Sequence, residues 1–527
     1  MLRETLISLV LISAIPLCLS AQNDDRGTFS AGLETNTTYY FNDSGTGASA
    51  PDGRMGSNNY LKMDYSWKGF SAGLQLEGYL PAIMGYFPAK WKSENFMRYD
   101  FYAGYTGGGW DVRLGSLFEQ FGSGLLLRTY EDRTLGINNA LQGIRVGYTF
   151  RDFLSIRAIY GRVRDIKEYT GAMVSGADLS LSISRAAKWE KVDWAVEGSI
   201  VDKYEAVADN ALPGTVPHNT GYSVRTALGY AGFRLSGEYM ERRSDPGFYN
   251  GMDSTSSRAL QIDLGYSGYG FGGLLTFRQL KNPFFQGYRD ATEMYTYINY
   301  VPALTQQHTY SLATLNPYTA QSDELGGQAD LYYNFRRGTV MGGKKGMKIH
   351  ANFSNYYGGI MNMSTGVRGE NELLFRDLTL DVERWFGSSL KMILFYSWQT
   401  FNPETTGKDT ELWNSHTVVA DLTYKINRKN SLRLELQHMY SKDDHKSWAA
   451  ALLEYNLAPR WSVSVQDMWN YGDTGNHYIN GSVSYSYSKV RAALNIGRFK
   501  EGYLCSGGVC RMTPAYTGIN LSLIVAL

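Results

Sequence analysis

The chain has 527 residues, with 51 Lys and Arg against 50 Asp and Glu, a formal net charge of +1. That balance excludes the basic footprint of a nucleic-acid-binding protein. Its 57 Gly exceed the roughly 7 % of ordinary chains, and 40 Tyr with 13 Pro suit many twisted strands joined by turns.

Residues 1–21, MLRETLISLVLISAIPLCLSA, carry Arg3, an apolar stretch from Leu6 to Leu19, and Ala21 ahead of the polar QNDD. This is the layout of a secretory signal peptide, with cleavage expected after Ala21. Pro16 and the shortness of the run speak against a membrane anchor. The bulky Leu17 before Cys18 speaks against lipoprotein processing. Beyond Ala21 no run of about 18 apolar residues occurs, so no helical span is expected.

The rest of the chain alternates apolar and polar residues in segments of about ten. Ile144, Val146, Tyr148 and Phe150 alternate with Arg145, Gly147, Thr149 and Arg151. Leu260, Ile262 and Leu264 alternate with Gln261, Asp263 and Gly265, and Leu432, Leu434 and Leu436 with Ser431, Arg433, Glu435 and Gln437. Val483, Tyr485 and Tyr487 alternate with serines. A period of two puts alternate side chains on opposite faces of a strand. The polar face bears full charges, so it is expected to meet water rather than a packed core. Aromatics near strand ends, as in Tyr39-Tyr40-Phe41, Tyr332-Tyr333 and Tyr485 with Tyr487, suit interfacial girdles. Ile519, Leu521, Leu523, Val525 and Leu527 alternate up to the last residue, where bacterial outer-membrane barrels usually carry an aromatic.

Connection lengths count the strands independently. Short ones lie at 66–69, 106–109, 151–152, 427–430 and 458–460; long ones at 42–56, 81–95, 119–140, 202–219, 243–256, 281–326, 400–412 and 500–515. Short periplasmic turns and long outer loops are the asymmetry of such barrels. The expected fold is all-β, a transmembrane antiparallel up-and-down β-barrel of about 24 strands, within about 22–26. MYTYINY (294–300) is a segment that would add a hairpin. A single barrel is expected over 22–527, with long outer loops at 117–140 and 281–326. About six residues separate Ala21 from the first strand, so no plug domain, assembly-factor repeat or N-terminal hatch is expected, and any obstruction must come from loops.

Inward positions carry both signs: Glu77, Asp193, Glu197, Asp263, Asp381, Asp421 and Glu435 with Arg145, Arg157, Arg433 and Arg491. They either tune selectivity or pair across strands and keep the wall wet. The stretch 117–148 holds Glu119, Arg128, Glu131, Asp132, Arg133 and Arg145 among glycines. Charges this dense cannot face lipid, so this connection is expected to fold over or into the pore. Residues 281–326 are too long for a simple connection and too aromatic for disorder. They are read as a constriction loop, with an outer cap or a partner surface as alternatives.

Cys505 and Cys510 in CSGGVC are expected to form a disulfide in the last outer loop, where it stiffens the tip. They lack the further ligands of a zinc site. Ser415-His416, His308-Thr309-Tyr310-Ser311 and Asp443-Asp444-His445 match no spacing of a barrel hydrolase, so no catalysis and no cofactor are expected. The basic turn RRGTVMGGKKGMK (336–348) reads as a solvated periplasmic turn.

The stretches EQFGSGLLLRTYEDR, PALTQQHTYSLATLNPY and CSGGVCRMTPAYTG resemble motifs of an uncharacterised Bacteroidota outer-membrane barrel family. The resemblance spans the mature chain and implies the barrel fold and an outer-membrane location, and it brings no catalytic residues. FGSGLL…R…NALQGIRV is also loosely similar to alginate-export and related substrate-specific porins, a likeness that implies a channel. The expected role is a porin-like outer-membrane channel for a polar solute. The alternative is a non-transporting barrel subunit of a larger secretion or surface-export complex. Outer-membrane lipid is the expected surrounding, protein partners in that membrane are open, and nucleic acid is not expected.

Overall fold

The computed structural model describes residues 26–87, 94–209, 211–243, 245–246, 256–289, 291, 296–359, 371–407 and 411–527. The proposed signal segment, with Cys18, lies outside the described residues.

Twenty-four antiparallel strands form one sheet, each paired with its sequence neighbours, from Thr28–Phe41 to Tyr516–Ala526. The sheet closes on itself: Gly32 pairs with Ala526 and Phe41 with Thr517, with every residue between in register. Closure leaves no edge. Strands run from 8 residues (Trp110–Leu117) to 15 (Glu168–Ser182), so the longer ones exceed the 9–11 or so that cross a bilayer.

One end of the barrel carries tight turns. Lys68-Gly69 and Ala231-Gly232 have φ of 46° and 86°, and 49° and 87°. Positive φ at both central residues is the mirror-image hairpin turn whose twist matches the flanking strands, and glycine takes it without a Cβ clash. The other end carries the loops, in which the described strands bound 42–54, 118–140, 282–322 and 500–515.

Several boundaries differ from the expectation. Leu117 and Lys281 end strands rather than open loops, and the second inner loop closes at Asp323. The described part of MYTYINY, 296–300, adds no strand: Tyr297 forms an isolated bridge with Gln286 inside that loop. A loop-end connection of two residues joins Asp165 to Glu168, and the turn end includes a longer segment with a short helix, Ile183–Ala186. Lengths therefore alternate on average and not at every connection.

The two faces of the wall divide as the alternation demands. In Phe96–Gly107, Met97, Tyr99 and Phe101 are 62, 66 and 55 % exposed, while Arg98 and Asp100 between them are 8 % exposed. A soluble protein does the reverse with such residues. Aromatic pairs gather by the tight turns: Phe70 with Tyr105, Trp110 with Tyr148, Phe233 with Tyr266 and Trp461 with Tyr485, at 4.6–4.8 Å between centroids. Tyr39 with Phe41 and Trp469 with Tyr471 do so at the loop end.

Candidate functional site

The inner face is itself divided. Towards the loop end it is apolar: Ile159, Val163, Val174, Val201, Met240, Ala259 and Leu280 point inward and are buried. Towards the turn end the same strands present Arg157, Asp178, Glu197, Arg225, Glu238, Gln261 and Asp263.

The apolar half is covered by the chain's own loops. Residues 118–140 turn inward as two small hairpins, Gln120–Phe121 with Leu127–Arg128 and Glu131–Asp132 with Ile137–Asn138. Phe121, Leu125, Leu126 and Leu127 pack on the wall together with Phe285, Ile298 and Val301 of the second loop. Burying each large side chain contributes about 1.5–3 kcal/mol, so this is a core in its own right.

Charge fixes the first loop from below. Glu119 is buried and accepts from Arg145 at 2.7 Å and Arg157 at 3.1 Å. Arg133 donates to Glu34 at 2.8 Å and Glu131 at 3.2 Å. Burial pushes the Arg133 guanidinium down, but Glu131 and Glu34 outweigh it and hold it above the ordinary arginine value. Asp132 accepts from the backbone of Thr134 and Leu135 and shapes its own turn. Arg128 stacks on Tyr130 and Tyr300, 4.7 and 3.8 Å from their centroids. Burial pushes both tyrosine hydroxyls up, and Arg128 partly counters it.

A bulge completes this side. The register between strands Leu154–Asp165 and Glu168–Ser182 shifts at Arg162/Arg164, so Val163 and Arg164 both reach the interior; bulges re-aim side chains in this way. Arg164 binds Glu77 at 2.6 Å and Asp100 at 2.6 Å, all nearly enclosed.

The described parts of the second loop, 282–289, 291 and 296–322, run along the inner wall. Tyr318 packs with Tyr356, Phe375 and Phe401, Tyr310 with Phe395 and Val419, and Leu312 with Met439 and Trp448. Its backbone carbonyls take hydrogen bonds from buried wall cations: Lys203 to Gln286, Arg242 to Phe284 and Arg278 to Pro302. Lys203 also meets Asp245 at 2.7 Å and Arg278 meets Glu324 at 2.7 Å, side chains that are 0–4 % exposed. His308 lies 2.5 Å from Asp377. Sequence reasoning missed Lys203, Arg242, Arg278 and Glu324. Inward parity carried to the strand ends would have marked them.

The last loop joins the other two. Gly502–Ser506 and Val509–Thr513 form a hairpin closed by the Cys505–Cys510 disulfide. Gly507 accepts from the Tyr300 hydroxyl, Ala303 N–H donates to Gly508 at 2.9 Å, and Arg511 donates to Gly85 and Thr134. The first and second loops bond directly, Arg128 N–H to Ile298 at 2.7 Å and Tyr300 N–H to Gly124 at 2.9 Å. The three stretches singled out in the sequence thus meet in one place. Between them lies a cavity of about 350 Å³ lined by Tyr130, Phe284, Tyr297, Tyr300 and Gln321.

Other expected lumen residues stand apart from this junction. Arg433 bridges Asp421 on the neighbouring strand at 2.9 Å and Glu435 two residues along its own strand. Asp263 accepts from Thr276 at 2.7 Å and Gln261 at 3.0 Å. Asp193 is exposed near the turn end, 3.9 Å from Arg234. Asp381 meets His350 at 2.6 Å.

A family model described as a family of unknown function (DUF6029) matches residues 1–527. No curated protein sequence matches the chain. Among solved structures it is similar to the P pilus usher translocation pore PapC, at 10 % identity and a TM-score of 0.48, covering 94 % of this chain and 99 % of that one. OpdQ of Pseudomonas aeruginosa matches at 11 % identity and a TM-score of 0.37, covering 95 % and 98 %. The siderophore receptor PirA of Pseudomonas aeruginosa matches at 9 % identity and 0.41, covering 96 % and 82 %.

Proposed function

We propose, for a chain that belongs to this family of unknown function, that it is an outer-membrane channel for polar solutes whose lumen is narrowed by inward-folded loops. The outward apolar belt between two sets of aromatics supports a place in a bilayer. The tight turns would then face the periplasm and the loops the outside.

The observation that carries the reading is the two-tier lumen. Its turn half is lined with paired charges of both signs, a wall made for water and polar solutes. Its loop half is narrowed by 118–140 and 282–322, held to the wall by Glu119 and by Lys203, Arg242 and Arg278. The histidine–carboxylate contacts, His308 with Asp377 and His350 with Asp330 and Asp381, are assigned to holding loop and wall, and no catalysis is proposed.

Single-channel recording in planar bilayers tests this. The wild type should conduct in discrete steps, and a variant lacking 284–322 should conduct in larger ones. The apolar seating of both loops also favours a second reading, a permanently filled barrel serving as subunit of a larger outer-membrane complex. A silent wild type whose folded deletion variant is silent too would sink the channel and leave that reading.

A further inference from the structure

The turn end of the barrel differs from the rest of the molecule in charge. Its eleven connections between strands hold thirteen Lys and Arg and only two acids, Asp152 and Glu190. The whole chain is balanced to a net charge of +1. Among the described residues, the connections at the loop end carry more acids than bases. The excess therefore belongs to one rim and not to the composition. Seven of the eleven connections share it, from Lys68 and Arg151 through 183–191 and 336–346 to Arg460 and Lys489. It runs round the barrel.

These cations also lack acidic partners. On the inner wall Arg145, Arg164, Arg225 and Arg278 each meet a carboxylate. The thirteen turn cations are all exposed, and none of them forms a salt bridge. Four lie instead over exposed aromatic rings of the same rim. Lys68 stands 5.1 Å from the centroid of Trp67, Arg151 5.2 Å from Phe150, Arg336 5.1 Å from Tyr269 and Arg460 4.2 Å from Tyr487. At such distances a ring face attracts a cation. Trp67, Phe150 and Tyr487 share the outer face with Tyr65, Tyr148 and Tyr485, two residues before each. A cation held on an outward ring stands beside the lipid-facing belt and not over the mouth of the lumen.

We propose that this rim binds the headgroups of anionic phospholipids in the leaflet that the turns face. Belt aromatics mark the depth at which hydrocarbon gives way to headgroups. Lys and Arg just beyond them lay their stems along apolar surface and extend their charge to the level of the phosphates. A guanidinium meets phosphate with paired N–H groups, an ammonium as a point charge. An acidic protein would call for cations gathered on one face, whereas these are spread round the circumference, as an annulus of lipid is. The inference rests on the bilayer placement and holds whether or not the barrel conducts.

Tryptophan quenching tests it, because Trp67, Trp110 and Trp461 are exposed on the outer face at this rim. The full barrel is reconstituted in phosphatidylcholine vesicles in which a minority of the lipid carries brominated acyl chains. That minority is phosphatidylglycerol in one set and phosphatidylcholine in the other. Brominated phosphatidylglycerol should quench as though enriched about fivefold around the protein, the effect of one cation near an anionic surface. Added salt should shrink the enrichment, a readout that needs no variant. Two sets of rim substitutions should each lower it: Arg336→Gln with Arg337→Gln, Lys344→Gln and Lys345→Gln, and Lys68→Gln with Arg151→Gln and Arg460→Gln. Lys442→Gln with Lys446→Gln, at the loop end, should leave it unchanged. Equal quenching by the two brominated lipids would overturn the proposal and leave the rim to an acidic partner in water. So would an enrichment indifferent to salt and to both rim sets, or one lost equally in the loop-end variant. Quenching by neither lipid would overturn the bilayer placement itself, and the proposal with it.

Discussion

Glu119 holds two arginines with one carboxylate, and its side chain is 1 % exposed. Removing it leaves Arg145 with Asp111 alone and Arg157 with Asp178 alone, and losing charge-assisted hydrogen bonds of this kind costs about 1–3 kcal/mol. Glu119→Ala should therefore release the loop without opening the sheet, seen as proteolytic nicking within 118–140 of a barrel that still migrates as folded. A variant as resistant as wild type would deny Glu119 that role. Asp245 makes a matching case at the second loop. Burial pushes its carboxyl up, but Lys203, with Arg242 and Arg289 beyond it, wins and holds it below the usual carboxylate range. A depressed folded value means its contribution is complete above the unfolded value of about 3.9 and fades as pH falls through the folded one. Nicking of 282–289 by proteases matched to each pH should rise below about pH 4 in the wild type. In Asp245→Asn it should be high and flat at every pH.

A strand of this barrel is two surfaces back to back, and adjacent residues obey opposite rules. Val463 is 47 % exposed on the outer face, while Ser464 beside it faces inward across from Glu454. Val463→Arg should cost about 2–4 kcal/mol of unfolding free energy in lipid vesicles. Ser464→Arg should cost far less, since it gains Glu454. Equal costs at both positions would refute the assignment of faces. The loops belong to the same logic, because they supply the partner surface that the inner face needs wherever it is apolar.

At the scale of the molecule, deleting 284–322 should leave the closed sheet standing, because the ladder between Phe271–Lys281 and Asp323–Phe335 does not pass through that loop. It should also wet the apolar tier, so a hydrophobic dye should bind the variant more than the wild type. The alternation that places Leu432, Leu434 and Leu436 outside was plain in the sequence, and so was the count of strands. Val174, Val201 and Met240 were not: an inward apolar residue opposite an outward one breaks the period of two and reads as noise until the loop covering it is known. Arg164 with Glu77 was equally hidden, since the partners lie 87 residues apart and a bulge sets the facing of Arg164. The density of charge in 117–148 announced a loop that does not face lipid, and 118–140 packs on the inner face of the barrel. Its anchors came from strand ends, where a boundary drawn a few residues early removes them from view.

The hairpin at Gly502–Thr513 touches both inner loops and is followed at once by Tyr516–Ala526, the strand that pairs with Thr28–Phe41. The interior and the seam are thus finished by neighbouring pieces of chain, both made after the loops and the first strand that they join. Until they arrive, the earlier loops have walls to rest on but no third partner, and the cylinder has a slit along its length. A properly furnished interior is in this way a receipt for a sealed wall, and a misplaced hairpin would betray an unclosed one.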